Sequence, residues 1–492
     1  MTATLLDDLE RGRVVPVDGK TPFICSPLGF VPKPNGKLRR IHHLSHPRNT
    51  STNDGIARTD AAFQYETVRK VCDHILQAGR GCFIIKRDWE AAFRTVPVAP
   101  SDRWLLGFKW EGQFYTECCL PFGLRTAPLI FNLFAEALHW ILESQLGWEF
   151  VSHYLDDIII IIRELDFTSI SEAASKFVTL TNLLGIPRND AKDECGQRII
   201  VLGYLLDTNT FEISIPDEKL QKIRNTITEA LQKDSMTLRE IQVIAGLLSW
   251  ASPAVQLGWV FCKRLWRFET QFAPYHTQKR LSIPLEVADD LRWWHESIAT
   301  FNGIRFFDDP SRTPFHLFTD ACKKGMGGFY YEQGSPEWES NIAKISILNS
   351  FSVPVIDADE KATFDINIYE VRAVRLALEQ WGPQWRHQRL VIFTDNNATF
   401  RGIQKGYLDS SANNDLRRLL CLAVEYDIEL QPHWLAGTSN QLADALSRSD
   451  FNSVANWCPH WQLRPTTTFL SYHHLRKSGS MKWNLCSPTK QS

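Results

Sequence analysis

Two short runs of apolar and β-branched residues, Cys82–Ile85 and Ile158–Ile162, have the composition of buried strands. Between them, 127–143 (APLIFNLFAEALHWILE) repeats apolar residues at helical spacing, with Pro128 placed for the first turn. From about Pro216 to Ile304 the texture is helical. Leu238, Ile241, Ala245, Leu248 and Ser249 fall at three- and four-residue steps, and the stretch around Val260–Trp266 adds Lys263, Arg264 and Arg267. The segment 306–314 (FFDDPSRTP) has linker chemistry. Beyond it, strand-like FHLFTD and LVIFTD flank a helix-like block at 368–381. No internal repeat is present, and from about Phe451 the pattern predicts no element.

Composition narrows the class. A chain of 492 residues, 44% apolar and 22% charged, can bury sizeable cores and suggests roughly two to four domains. Lys and Arg number 54 against 56 Asp and Glu, a net charge of −2 that excludes a uniformly basic binder. Nucleic acid stays open, because local clusters decide it. Eleven cysteines without a C-x-x-C pair argue against a secreted disulfide framework. The start, MTATLLDDLERGR, lacks the apolar core of a signal peptide, and no aliphatic run is long enough for a bilayer. A reducing intracellular location, cytoplasmic or nuclear and away from membranes, is the expectation.

Candidate chemistry begins with aspartates. In IIKRDWEAAFRTVPV, Asp88 ends an apolar strand and Phe93 follows five residues on, where a short turn or helix should start. In HYLDDIIIII, Asp156 and Asp157 tip a hairpin with hydrophobic arms. Adjacent carboxylates there raise one another's pKa unless a cation neutralises them. A third carboxylate from a neighbouring strand completes a site for two divalent metals roughly 3.5–4 Å apart, suited to in-line phosphoryl transfer. Magnesium is the natural choice for oxygen ligands, with manganese as the alternative. An isolated Asp-Asp pair, by contrast, is most often a solvated turn. Upstream, the span 21–53 holds Lys33, Lys37, Arg39, Arg40 and Arg48 and no acidic residue, and VPKPNGKLRR reads as strand, Asn-Gly turn, strand.

A second set lies downstream. Asp320 ends FHLFTD and is followed by Gly325, Gly327 and Gly328, which suggest a tight hairpin. Glu370 begins the helix-like block, Asp395 ends LVIFTD, and Asp444 sits on a predicted helix with Asn440 as its N-cap. Singly, each is more often a cap or a surface acid.

YLDD between hydrophobic strands, Asp88 in a D-x-x-x-A-F frame and CLPFGLRTAPLIFNLF occur in one order that resembles the reverse transcriptase palm. That resemblance implies Asp88, Asp156 and Asp157 as the metal triad, with Asp88 and Asp156 the direct ligands and the Trp89 carbonyl a further one. It implies that Phe93 excludes the nucleotide 2′-OH and that Gly123 lets backbone approach template and incoming base. Lys33 and Arg39 would contact the triphosphate, and Leu202-Gly203-Tyr204 would form the primer grip. The order Asp320, Glu370, Asp395, Asp444 resembles ribonuclease H, whose four carboxylates hold two magnesium ions. Thr438 stands where many such domains carry a loop histidine, and His433 comes earlier, at a strand end. The run RRIHHLSHPRNTSTNDGI and the ending QLADALSR are most similar to DIRS-type retroelements, and next to gypsy-type LTR elements, whose fingers carry Asp-Tyr-Arg where His43-Leu44-Ser45 stand here.

The fold implied is an α+β right-hand polymerase followed by an α/β ribonuclease H-like domain. Fingers and palm would occupy 1–212, a helical thumb or connection 213–305, the nuclease 312–450, and a tail of unassigned role 451–492. The function implied is RNA-directed DNA synthesis with cleavage of the copied RNA, two metal ions serving each site. RNA template, DNA primer, RNA–DNA hybrid and dNTPs would be the partners. Two rivals stand beside it: a degenerate or domesticated product that binds nucleic acid as a scaffold, and a nuclease alone. Cys458, His460, His473, His474 and Cys486 in the tail match no zinc module.

Overall fold

The computed structural model describes residues 2–20, 22–32, 38–163, 167–273, 278–306, 311–355 and 365–461. They fall into two compact units, Met1–Ile213 and Ser214 onward.

The first unit is built on a four-stranded antiparallel sheet. Its strands run in the order Val151–Tyr154, Asp157–Ile162, Phe83–Asp88, Glu194–Gly196. The predicted helix is present as Ala127–Leu146 with Pro128 in its first turn, and Phe131, Ala135, Leu138 and Leu142 bury one stripe. That stripe shares a core with Ile85, Ile158 and Ile160. Helix Val68–Ala78 packs on the same isoleucine strand, whose residues 158–161 are all buried. Cover on both faces explains why this strand reads as a continuous apolar run.

Strands Leu28–Pro32 and Leu38–His42 pair antiparallel, as expected for the basic hairpin. Its Asn-Gly turn, with Lys33, lies outside the described residues. A three-stranded sheet joins Val14–Val17, Gln113–Glu117 and Gly107–Trp110. Strands Arg198–Val201 and Tyr204–Asp207 close through Leu202 and Gly203, whose φ angles of 50° and 89° suit a two-residue hairpin.

The second unit opens with helices Asp217–Leu231, Leu238–Ala251, Lys263–Thr270 and Leu285–Ser297. Thr237 and Glu240 form a capping box that starts the second, and Ile241, Ala245 and Leu248 are buried as their spacing predicts. Ser249 instead accepts a hydrogen bond from Trp266 Nε1 at 2.9 Å. A five-stranded sheet follows, ordered Ser350–Pro354, Gly325–Glu332, Pro314–Ala321, Arg389–Thr394, Glu429–Trp434. The first two pairings are antiparallel and the last two parallel. Helices Ile366–Trp381 and Gln441–Arg448 pack against it.

The tight hairpin expected after Asp320 is present: Ala321 pairs with Met326, and Cys322 and Gly325 exchange backbone hydrogen bonds around Lys323 and Lys324, with Gly327 and Gly328 inside strand Gly325–Glu332. Helix Gln441–Arg448 comes so close that a Cβ on Gly327 would stand 2.3 Å from the Ser447 nitrogen. Gly325 and Gly327 therefore also serve close packing of helix on strand, while Gly328 leaves room for Phe351. At the end of the described chain, helix Phe451–Trp457 brings Val454, Cys458 and Trp461 into the same core, and His460 bonds the Ile345 carbonyl. His473, His474 and Cys486 lie outside the described residues. Among the described residues no helix is long and apolar enough to cross a membrane.

Candidate active sites

The first site is assembled by strand pairing. Asp88 ends its strand directly opposite Asp157, and Tyr154 pairs with Asp157 across a turn of Leu155 and Asp156. Leu155 is left-handed at φ 51°, as such a tight turn demands. The Trp89 amide donates to the Asp156 carbonyl at 2.9 Å, which ties the hairpin tip to the end of the Asp88 strand. Ala91 is left-handed too, at φ 59°, so the chain bends sharply into the short helix Ala92–Thr95. Phe93 is thereby lodged between Phe122 and Phe131, at ring separations of 5.1 and 5.7 Å.

Burial pushes the Asp157 carboxyl up to about 6, with Lys86 opposing and Asp156 and Asp88 adding repulsion. Burial raises Asp156 also, and Asp88 adds to it. Lys192 Nζ lies 2.7 Å from Asp88 Oδ1. A cleft of about 730 Å³ opens over Asp88, Asp156, Trp89, Lys192, Phe122 and Arg39. The Arg39 guanidinium rests 4.7 Å above the Phe122 ring, which fixes a cation at the cleft wall. Phe93 does not line this cleft; it backs Phe122, which does.

Arg40, next along, is fully used by the protein. It donates to Glu117 and to Asp8 at 2.7 Å each, and Arg94 donates to Glu117 at 2.8 Å. Gly123 has φ 114°, and a Cβ there would meet the His42 carbonyl at 2.0 Å, so its close approach is to the chain's own basic hairpin.

The second site is tighter. Carboxylate oxygens of Asp320, Glu370 and Asp395 lie within 4.8 Å of one another, a closeness that Asp88, Asp156 and Asp157 do not reach. Asp320 accepts from Ser447 Oγ at 2.5 Å, and Glu370 Oε1 accepts from the Ala321 amide at 3.3 Å. Glu370 Oε2 is buried with no hydrogen-bond partner. Burial pushes Asp320 up to about 7 and Glu370 up to about 9, with neighbouring carboxylates adding in both. Asp395 is raised by burial and then by Asp444. Three clustered oxygen donors, one of them orphaned, fit a hard divalent cation.

Asp444 lies outside this trio, its Oδ1 accepting from Arg448 Nε at 2.7 Å. Asn440 does stand at the N-cap of that helix, but its side chain makes no cap bond. It donates instead to the buried Thr319 carbonyl at 2.9 Å, because holding the helix to the Asp320 strand satisfies a backbone acceptor that water cannot reach. In the preceding loop Thr438 is exposed, and a Cβ on Gly437 would meet Asp395 Oδ2 at 2.8 Å. The exposed His433 stacks on Phe393 at 5.5 Å. Lys192, Ser447 and the Asn440 contact were not visible in the sequence, since each depends on a partner at least 100 positions away.

Residues 31–206, which carry the two strands with facing aspartates, match the reverse transcriptase (RNA-dependent DNA polymerase) family. The chain thus contains a reverse transcriptase domain of the retroelement and retrovirus type. Among curated proteins it is 24% identical over 387 residues to the retrovirus-related Pol polyprotein from transposon gypsy of Drosophila melanogaster, covering 77% of this chain and 34% of that one. It is 22% identical over 381 residues to a putative enzymatic polyprotein of cassava vein mosaic virus, covering 74% and 52%. To the Gag-Pol polyprotein of walleye dermal sarcoma virus it is 25% identical over 245 residues, covering 47% and 12%. The chain spans from about an eighth to about half the length of these relatives. Among solved structures, a foamy viral protease-reverse transcriptase in complex with dsDNA is similar at 18% identity and TM-score 0.49, covering 88% of this chain and 81% of that one.

Proposed function

We propose that this chain copies RNA into DNA from a primer and cleaves the RNA strand of the resulting hybrid, using magnesium at both sites. The polymerase reading is carried by one observation: the hairpin of Asp156 and Asp157 is locked to the Asp88 strand beneath a cleft walled by Arg39, inside a segment that matches the reverse transcriptase family. Bound there, divalent metal would activate the primer 3′-oxygen and hold the pyrophosphate. Asp88, Asp156 and Asp157 would hold it. Arg39, pre-positioned on Phe122, offers a bidentate fork to the triphosphate, together with Lys33. Phe93 sets sugar selection through Phe122, Gly123 keeps the neighbouring backbone close, and the hairpin at Leu202–Tyr204 grips the primer.

The nuclease reading rests on the Asp320, Glu370 and Asp395 cluster with its orphaned oxygen, completed by Asp444 once Arg448 releases it. Fingers and palm to residue 212, a thumb to 305 and the nuclease over 312–450 are the corresponding assignments. The run at His43-Leu44-Ser45 is what favours a DIRS-type over a gypsy-type origin.

Primer extension on a labelled RNA template with dNTPs and magnesium tests both halves in one gel. DNA growth with RNA fragmentation is expected. Asp156→Asn should abolish growth and spare cleavage of a preformed hybrid, and Glu370→Gln should do the reverse. Binding without either product would establish the scaffold, and fragmentation alone the nuclease.

A further inference from the structure

Away from both carboxylate sites, three segments of the first unit bring their side chains together. Glu66 precedes helix Val68–Ala78, His139 lies on helix Ala127–Leu146, and His153 lies on strand Val151–Tyr154. One ligand atom from each lies within 4.8 Å of the others. The two imidazoles meet edge to face, Nδ1 to Nδ1 at 2.8 Å.

The outer contacts settle which nitrogen is bare. His139 Nε2 lies 3.0 Å from Glu143 Oε1, one helical turn on, so Nε2 carries the proton and donates it to the carboxylate. His139 Nδ1 is then a lone pair, and His153 Nδ1–H donates to it. A carboxylate behind a histidine is the arrangement that orients imidazole toward zinc and raises its basicity. Burial, followed by the neighbouring His139, lowers His153, which keeps that ring neutral and available as a ligand. Glu66 Oε2 is fixed by the His153 amide at 2.8 Å, and its other oxygen pairs with Lys70.

We propose that Glu66, His139 and His153 form a zinc site of three protein ligands, with water in the fourth position. Two imidazole nitrogens and a carboxylate oxygen are donors that zinc accepts in tetrahedral geometry, at about 2.0–2.2 Å. Nitrogens so placed stand about 3.3 Å apart, so the present pair must open by about half an ångström. His153 shifts its proton from Nδ1 to Nε2 as the metal enters, and no net proton is released from the two rings. Lys70 gives up its pairing with Glu66. The ion would staple the lead-in to one helix, the body of a second and the first arm of the Asp156 hairpin. It does not depend on either catalytic reading, because none of its ligands belongs to them.

The test is zinc titration of the metal-stripped full chain in millimolar magnesium, which competes for carboxylate-only sites. One Zn²⁺ per chain, bound at micromolar affinity or tighter, and a rise in Tm are expected. His139→Gln should weaken binding more than tenfold, and Glu143→Gln by about 10–100-fold through the lost orientation. X-ray absorption at the zinc edge of the wild-type chain guards against variants that fail to fold: it should show two imidazoles and no sulfur. No stoichiometric uptake, a sulfur-containing shell, or unchanged affinity in a folded His139→Gln would overturn the site.

Discussion

Lys192 Nζ and Asp88 Oδ1 stand 2.7 Å apart at the head of the cleft, so an ammonium neutralises the carboxylate at the end of strand Phe83–Asp88. The lysine is largely exposed, and such pairs are weak and screened by salt. On the proposed metal-binding role of Asp88, the lysine would compete with the divalent ion there. Lys192→Met should lower the magnesium concentration for half-maximal extension by about threefold, on the scale of an exposed ion pair. An unchanged magnesium curve would show that the pair is incidental.

Phe93 acts from behind. Its ring holds Phe122, and Phe122 faces the cleft. Phe93→Val should let Phe122 relax, raising ribonucleotide incorporation relative to deoxyribonucleotide by about tenfold or more, roughly 1.4 kcal/mol of lost discrimination. Identical kcat/KM ratios for the two sugars in wild type and variant would remove Phe93 from selection.

The second site should make the metal-free chain sensitive to alkali. Glu370 and Asp320 have folded pKa values of about 9 and about 7, above the ordinary 4.5 and 3.8. Groups raised on folding contribute stability that is present below their unfolded pKa and lost as pH rises through the folded one. With chelator present, Tm should therefore fall between about pH 5 and 9, and magnesium should flatten the slope. Glu370→Gln removes one of the titrating carboxyls, so it should flatten it without metal. A Tm rising over that interval would contradict the electrostatics of the cluster.

Gly327→Ala tests the close packing. The added methyl would stand 2.3 Å from the Ser447 backbone nitrogen and force helix Gln441–Arg448 off the sheet. Overpacking of this kind costs about 1–3 kcal/mol, and the same helix carries Ser447 onto Asp320 and bears Asp444. Hybrid cleavage should fall more than tenfold while extension is retained. Full nuclease activity in a stable variant would mean the helix has room.

Elements whose pattern is local were legible in the sequence. The Ala127–Leu146 stripe, the isoleucine strand and the spacing of Ile241, Ala245 and Leu248 all appear where periodicity places them. Both aspartate strand ends could be read as well, because a charged residue closing an apolar run is a local signal. Contacts between distant segments could not. The glycines near Asp320 gave the hairpin correctly, but nothing nearby shows that a helix more than 100 residues later also rests on Gly325 and Gly327. Asn440 had the right identity for a cap, yet a buried carbonyl on another strand claimed its amide. Asp444 pairs with Arg448, one turn along the same helix, a pairing that spacing alone leaves undecided.

The buried ring of Asp8, Arg40, Arg94 and Glu117 bears on where this domain physically begins. Two guanidiniums and two carboxylates, largely buried along the wall of the cleft, cancel one another, and one of the four comes from the first ten residues. The family match starts at residue 31. A protein cut there would keep every residue of the match and yet leave the ring with two positive charges and one negative, an imbalance that a buried ion network tolerates poorly. Shared ancestry and electroneutrality draw the edge of this domain at different places along the chain.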